Sequence, residues 1–150
     1  MPHKPRKRFG QNFLVDEQVI NQIVSTVSPK KNDTVIEIGP GKGALTFPLI
    51  NHLEKIHVIE IDRDLISFLQ KKNNKKISIH ESDALVFNFD QFKQNIRIVG
   101  NLPYNISSPL LFHLLNYRDN IIDMTFMLQK EVVDRIVAPP GSKVYGRISV

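Results

Sequence analysis

The sequence predicts an α/β fold in which a mostly parallel sheet carries helices on both faces. Apolar runs typical of buried strands alternate with stretches of helical spacing, and the first of these strands ends in a glycine-rich turn. That turn, residues 39–43, joins a strand predicted at residues 35–38 to a helix that begins near Ala44. In open α/β sheets such a turn lies at the carboxyl end of a central strand, where nucleotide-like ligands bind. We therefore expect a ligand site at this turn.

Two cofactors fit the turn. Gly39, Gly41 and Ala44 satisfy the glycine fingerprint of dinucleotide-binding proteins. Three other features differ from that fingerprint. Glycines alternate at 39, 41 and 43, and the acid Glu37 precedes them. Lys42 is not a typical residue for starting a helix that binds a pyrophosphate. These features favour S-adenosylmethionine, which has no phosphate for a helix N-terminus to hold. Gly39 and Gly41 are predicted to bind the cofactor, because glycine adopts backbone angles closed to other residues and lets a ligand approach closely.

The chain is long enough and hydrophobic enough to form the core of a single domain, with 150 residues, 41% of them hydrophobic. It contains no cysteine. The lack of cysteine excludes disulfides and cysteine metal sites. No apolar run approaches the roughly 20 residues of a membrane-spanning helix, no secretory signal is recognisable, and the histidines are scattered. We expect a soluble, cytoplasmic protein without a metal and without a membrane partner.

The positive charge is concentrated at the N-terminus. The net charge is +5, and four basic residues without an acidic neighbour, Lys4, Arg6, Lys7 and Arg8, account for most of it. Such a cluster suits an RNA backbone, although a solvated terminus explains the charge equally well. The apolar residues at 9–14 favour an arm that docks on the body. We therefore predict a basic, RNA-binding arm at residues 1–14 and a cofactor-binding domain at residues 15–150.

The next elements continue the alternation. Asp16 is predicted to cap a helix that ends at Ser28, and Pro48 is tolerated because it lies in the first turn of the following helix. A second strand at residues 56–61 carries Glu60 near its end, where a carboxylate can accept both hydroxyls of a ribose. Asp64 is the predicted cap of the third helix.

The lysines at 71, 72, 75 and 76 close that third helix, and a favourable interaction with its C-terminus explains them better than RNA does. A third strand at residues 77–80 leads to Asp83, at the edge where the first two strands also end. Asp83 can accept from the adenine amine, and the alternative is an ordinary turn residue. Residues 87–92 are predicted to form a short surface helix or turn.

The fourth strand, predicted at residues 96–99, ends in Asn101, Leu102, Pro103 and Tyr104. An aromatic amine is a weak nucleophile because its lone pair is delocalised into the ring. Two acceptors on the amine protons draw the nitrogen towards tetrahedral geometry, and the Asn101 side chain and the Pro103 carbonyl are candidates. Tyr104 offers a flat surface on which an extruded base can stack. The pattern predicts an amine-alkylating site.

Four motifs together resemble the ribosomal RNA adenine dimethyltransferases: RKRFGQNFL at 6–14, EIGPG at 37–41, NLPYNIS at 101–107 and MLQKEV at 127–132. The chain is most similar to the bacterial members that act on the small ribosomal subunit. The resemblance implies a Rossmann-like S-adenosylmethionine-dependent methyltransferase fold. It also implies transfer of two methyl groups to each of two adjacent adenosines near the 3′ end of small-subunit (16S) rRNA in an immature 30S subunit.

Matched motif by motif, the resemblance places six residues around the cofactor: Asn12, Leu14, Gly39, Glu60, Asp83 and Asn101. It assigns residues 101–104 to the target base and implies no metal. Three alternatives remain. These are a large-subunit adenine methyltransferase that confers antibiotic resistance, an NAD-dependent dehydrogenase, and an RNA-binding relative without catalysis.

The last third of the chain follows the same scheme. Ser107 or Ser108 is predicted to cap a fourth helix, and a continuously apolar fifth strand at residues 122–128 is expected to be covered on both faces. A helix at residues 129–137 precedes the opening of a further strand at residues 147–150.

In the family the chain continues through the last strands, an aromatic loop that closes the base pocket and a small helical domain. We expect a fold truncated before its last strands that binds cofactor with weak or no turnover. The exposed edge of its fifth strand is expected to favour self-association.

Overall fold

A computed structural model, which describes residues 14–93 and 95–150, contains one sheet of five strands, all parallel to their neighbours. The strands are β1 (Thr34–Ile38), β2 (Ile56–Glu60), β3 (Ile77–Glu81), β4 (Ile96–Asn101) and β5 (Ile121–Met127). The helices are α1 (Glu17–Val27), α2 (Thr46–Ile50), α3 (Arg63–Lys71), α4 (Ser107–Leu115) and α5 (Lys130–Ile136). The predicted α/β class and parallel sheet are confirmed. The predicted arm, with Lys4, Arg6, Lys7, Arg8 and Asn12, lies outside the described residues.

The strand order, β3-β2-β1-β4-β5, reverses direction next to β1. Right-handed crossovers therefore place helices on opposite faces of the two halves of the sheet. α1, α2 and α3 pack on one face in a cluster that includes Val27, Leu49 and Leu69. α4 packs on the other face, where Leu110 and Leu114 join a second cluster. The reversal leaves a crevice beyond the carboxyl ends of β1 and β4, where ligands bind in this class of fold.

The start of two helices differs from the prediction. α1 is capped by Asp16, as expected, through bonds from the backbone N–H groups of Gln18 and Val19. The cap of α3 is Asp62 rather than Asp64, because Asp62 is the last residue with extended backbone and its carboxylate accepts from the Asp64 N–H at 2.9 Å. α4 has no side-chain cap. Its first residue, Ser107, donates instead to the Pro103 carbonyl, so the predicted cap at Ser107 or Ser108 is wrong.

Three further predictions are corrected. Residues 87–92 contain the predicted short helix, a 3-10 helix at Phe89–Phe92 with exposed polar residues, but Phe87 and Phe89 are buried in the core under α4 rather than at the surface. β5 is not covered on both faces: Ile122 is 59% exposed and Met124 is 40% exposed. β5 is also the last strand in the described sheet, with a neighbour on one side only. Residues 147–149 form a short 3-10 turn rather than a strand.

Arg97 ties the sheet together at the edge opposite the crevice. Its guanidinium lies 2.8 Å from a carboxylate oxygen of Asp33, before β1, and 2.9 Å from one of Asp123, on β5. It also donates to the carbonyl of Val27, at the end of α1. The side chain is only 13% exposed, so these bonds are poorly screened by water. One side chain therefore fixes the register of β4 against both neighbours and anchors α1.

Arg97→Met is expected to lower the free energy of unfolding by about 2 to 3 kcal/mol, because it leaves Asp33 without its cation and removes several charge-assisted bonds. Denaturant unfolding at neutral pH measures the loss. Arg63→Met is the matched control, since the Arg63–Glu81 ion pair is exposed at 89% and 55% and should contribute no more than about 0.5 kcal/mol. Equal losses for the two variants would contradict the role given to Arg97.

Candidate functional site

The crevice beyond β1 and β4 forms a cavity of about 320 Å³. The ends of four strands converge on it, which explains how residues far apart in sequence come together. Seven residues singled out in the sequence line this cavity: Leu14, Gly39, Gly41, Glu60, Asp83, Asn101 and Pro103. Leu102 is 1% exposed and does not line it, and Tyr104 lies outside with 53% of its surface exposed. The structure therefore brings together every predicted cofactor residue that it describes.

The glycine turn adopts the backbone angles that the sequence predicts. Gly39 and Gly41 have φ angles of +67° and +57°, in the left-handed region that favours glycine. The N–H of Gly39 is bonded to the Ile59 carbonyl at 2.9 Å, which fixes the turn to β2. The main chain of β1 thus turns sharply along the cavity wall, without side chains at these two positions to fill it.

Glu37 is a buried acid at the base of the cavity. It lies between Ile36 and Ile38 in β1 and is 1% exposed. Its carboxyl group accepts a hydrogen bond from the Thr46 hydroxyl at 2.5 Å. Burial raises the pKa of Glu37 to about 7; the bond from Thr46 opposes the shift and the charge of Glu60 adds to it. The sequence marked Glu37 as a cofactor clue without giving it a role, and it did not identify Thr46, whose signal is a hydroxyl on the buried face of α2.

Glu60 ends β2 with its carboxylate oriented by the main chain. Oε2 accepts from the N–H groups of Ile61 and Asp62, at 2.9 and 3.0 Å, and the Gly41 N–H also donates to the carboxyl. Burial raises the pKa of Glu60 above its ordinary value, and these three donors oppose that rise. Glu60 is 6% exposed, so a ligand that donates to it does so away from bulk water.

Asp83 combines the two roles that the sequence left open. Its Oδ1 accepts from the Leu85 N–H at 2.9 Å, which makes it a turn residue. It also lines the cavity, directly after the end of β3. The turn bond fixes the direction of the carboxylate, so the structural role prepares the group for a ligand.

Local contacts orient the turn after β4. The Pro103 carbonyl accepts from the Ser107 hydroxyl at 2.9 Å and from the Ile106 N–H at 3.3 Å. These contacts set the direction of the carbonyl, and its role as an acceptor for the amine stays a prediction. Asn101, the last residue of β4, keeps its place on the cavity wall.

Gln129 is a residue whose role the sequence did not identify. It lies between β5 and α5, and its amide Nε2 donates to the Leu102 carbonyl at 3.3 Å. Its Oε1 lies 3.2 Å from the Ser107 hydroxyl. The available signal was the motif at 127–132, but the partners of Gln129 are more than 20 positions earlier in the chain.

The described residues contain neither a cluster of metal-binding side chains nor a membrane-spanning helix. Within residues 14–93 and 95–150, no three His, Cys, Asp or Glu side chains come together as a metal site would require. No helix in the described part of the chain has the length and apolar character needed to cross a bilayer.

Comparison with protein families gives a match over nearly the whole chain. Residues 2–150 match the model of the family described as ribosomal RNA adenine dimethylase. A protein of Dechloromonas aromatica named ribosomal RNA small subunit methyltransferase A is 58% identical over 149 residues, which cover 99% of this chain and 58% of that protein. The protein of the same name from Nitrosospira multiformis is 55% identical over 100% of this chain and 58% of its own length. The chain thus spans less than two thirds of these relatives.

Solved structures agree with this family match. A dimethyladenosine transferase from Plasmodium falciparum superposes with a TM-score of 0.81 and 31% identity, over 93% of this chain and 51% of that one. The 23S rRNA methyltransferase ErmE superposes with a TM-score of 0.75 and 28% identity, over 83% of this chain and 50% of its own. The fold is therefore similar to those of these two transferases.

The buried carboxyl of Glu37 predicts a distinctive pH dependence. Its pKa is about 7 in the folded chain and has an ordinary value of 4.5, so between these values the folded state binds more protons than the unfolded state. Its contribution therefore lowers the free energy of unfolding as pH rises through this window. Glu37→Gln removes that contribution, so its stability relative to the parent should improve from pH 5 to pH 8.

Denaturant unfolding of parent and variant at pH 5, 6, 7 and 8 measures this difference. Glu54→Gln, a change at an exposed glutamate paired with Lys31 at 3.7 Å, should leave the pH profile of stability unchanged. A constant difference between Glu37→Gln and the parent across this range would show that Glu37 is already ionised in the folded chain.

Proposed function

The chain belongs to the ribosomal RNA adenine dimethylase family, and on that premise we propose that it binds S-adenosylmethionine and carries the methyl-transfer site of a small-subunit rRNA adenine dimethyltransferase. The product would be two adjacent adenosines near the 3′ end of 16S rRNA, each with two methyl groups on its exocyclic amine. The observation that carries the proposal is the convergence of Gly39, Glu60, Asp83 and Asn101 on one cavity. Relatives with 53–58% identity carry the small-subunit name, whereas ErmE is 28% identical, which favours the small subunit.

The cavity fits S-adenosylmethionine better than a dinucleotide. Bound there, S-adenosylmethionine supplies a methyl group activated by a positively charged sulfonium. Three carboxyl groups, those of Glu37, Glu60 and Asp83, line the cavity together with one lysine, Lys42, and this acidic excess favours a cation over a pyrophosphate. Glu60 would accept the ribose hydroxyls, and Asp83 would accept from the adenine amine. Leu14 and the backbone at Gly39 and Gly41 would complete the walls.

The end of β4 is suited to hold the amine that is methylated. The Asn101 side-chain oxygen would accept one amine proton and so return the lone pair to the nitrogen for attack on the methyl carbon. The Pro103 carbonyl, which the Ser107 hydroxyl orients, would accept the second amine proton. Tyr104, 53% exposed beside the cavity, offers the ring on which an extruded base can stack.

The partners follow from the same proposal. An immature 30S subunit in the cytoplasm would be the substrate, with Lys4, Arg6, Lys7 and Arg8 on its phosphates. The exposed side chains on β5 at residues 122 and 124 support self-association of this chain.

Glu60→Ala is expected to weaken binding of S-adenosylmethionine by about 10- to 100-fold, because it removes a buried acceptor of ribose hydroxyls. Calorimetric titration of the 150-residue chain measures the affinity. Glu54→Ala, at an exposed glutamate, should bind like the parent. Equal affinity of Glu60→Ala and the parent would contradict the assignment of Glu60, and binding of NAD instead would contradict the cofactor.

Asn101→Ala is expected to slow methyl transfer by about 100-fold, because the amine loses the acceptor that frees its lone pair. Transfer of a labelled methyl group to undermethylated small subunits, measured under single-turnover conditions, detects even a slow parent reaction. Asn51→Ala, at an exposed position after α2, is the matched control. Unchanged transfer by Asn101→Ala would exclude the proposed role. A parent that binds cofactor and transfers no methyl would contradict catalysis by this chain.

A further inference from the structure

Gln129 lies at the start of α5, but its side chain does not cap that helix. It is the residue before α5, with extended backbone, yet its side chain makes no capping bond to α5. Its carbonyl already accepts from the N–H groups of Val132 and Val133 at 3.0 and 3.2 Å. The amide instead points back towards the turn after β4. The side chain is therefore committed to a partner outside its own helix.

The turn after β4 has a shortage of backbone donors. Pro103 has no N–H, and Leu102 is 1% exposed, so water does not compensate its carbonyl. A buried carbonyl without a donor costs about 1 to 3 kcal/mol. Gln129 Nε2 provides the missing donor for the Leu102 carbonyl, and Ser107 Oγ adds a donor for the Pro103 carbonyl, which also accepts from the Ile106 N–H.

These two side chains also contact each other. Ser107 is fully buried, and its Oγ lies 3.2 Å from Gln129 Oε1 and 2.9 Å from the Pro103 oxygen. The single hydroxyl proton can be donated to either oxygen, so the two acceptors share it. Through these contacts the carbonyls of Leu102 and Pro103 are both linked to the side-chain amide of Gln129, which lies in the connection between β5 and α5.

We propose that Gln129 is a positioning residue for methyl transfer: through Leu102 directly and through Ser107, it holds the turn that presents Asn101 and Tyr104 to the target base. The inference rests on the proposed function for the roles of Asn101 and Tyr104. Gln129 does not line the cavity, so it acts through the turn and not on the cofactor.

The backbone supports this positioning from the same strand. The Leu102 N–H donates to the Met127 carbonyl at 3.1 Å, and Asn101 is paired with Met127 in the sheet. Leu102 is therefore held at its N–H by the end of β5 and at its carbonyl by Gln129, two residues later. A rotation of the peptide group between Leu102 and Pro103 breaks the second bond but not the first. Small displacements of a reacting group cost large factors in rate, so this bond matters to the reaction.

The first test replaces Gln129 with Met, which keeps the length of the side chain and removes the donor. Hydrogen exchange of the 150-residue chain should become about tenfold faster for the Ile106 amide, which donates to the Pro103 carbonyl, and remain unchanged in β1 and α2. Gln91→Met is the matched control, because Gln91 also donates its amide to a carbonyl, that of Asn88 at 2.8 Å, on the exposed surface. Unchanged exchange at Ile106 in Gln129→Met overturns the proposal.

The second test separates positioning from cofactor binding. Gln129→Met should bind S-adenosylmethionine within about twofold of the parent, while the single-turnover rate of methyl transfer falls at least tenfold. Loss of cofactor affinity in parallel with the rate would indicate general damage to the fold and overturn the proposal. A parent without detectable transfer counts against the proposed function only, since hydrogen exchange then decides the positioning role alone.

Gln129→Glu adds a readout that a purely structural role would not move. An ionised carboxylate cannot donate to the Leu102 carbonyl, whereas the protonated acid can. Exchange of the Ile106 amide relative to the parent should therefore be fast at neutral pH and slow down as pH falls towards 5. A ratio that does not change with pH overturns the assignment of a donated bond to Leu102.

Discussion

The whole site depends on one topological constraint, the right-handed connection between parallel strands. Two strands, β2 and β3, are added outward from β1 in one direction, and the chain then returns to place β4 on the other side of β1. Because both excursions have the same hand, their helices cover opposite faces, and a crevice opens where the order reverses. The glycine turn, the acid at the end of β2 and the turn after β4 meet there only because the strands are parallel and end at one edge.

Two carboxyl groups in the crevice, those of Glu37 and Glu60, are stabilised by groups other than cations. Burial raises the pKa of both Glu37 and Glu60, and their nearest stabilising groups are a hydroxyl and backbone N–H groups rather than lysines or arginines. Arg97, by contrast, is paired with two carboxylates at the opposite edge of the sheet. The ion pairs of Arg97 thus stabilise the fold. The acidic groups of the crevice, in contrast, lie where a cationic ligand would stabilise them.

The sequence predicted those parts of the site whose signals are local. A glycine turn after a buried strand, and acids such as Glu60 and Asp83 at strand ends, are visible within a few residues, and parallel order brings them together. Contacts that depend on distant partners were missed. Ser107 has the signature of a helix cap but donates to Pro103, and Phe89 lies between Asn88 and Asp90 but packs under α4. The fifth strand was predicted as continuously apolar although it contains Asp123 and Thr125, and its pattern gave no information on whether other elements would cover it.

The two halves of the site are supported unequally. The glycine turn and Glu60 extend from β1 and β2, interior strands with a neighbour on each side. The turn that carries Asn101 depends instead on β5, the edge strand of the described sheet, through the Met127 carbonyl and through Gln129. Edge strands open more readily than central ones, because fewer contacts must break. Cofactor binding should therefore be the more robust property of this chain, and whatever packs against β5 would stabilise the turn for the target base without touching it.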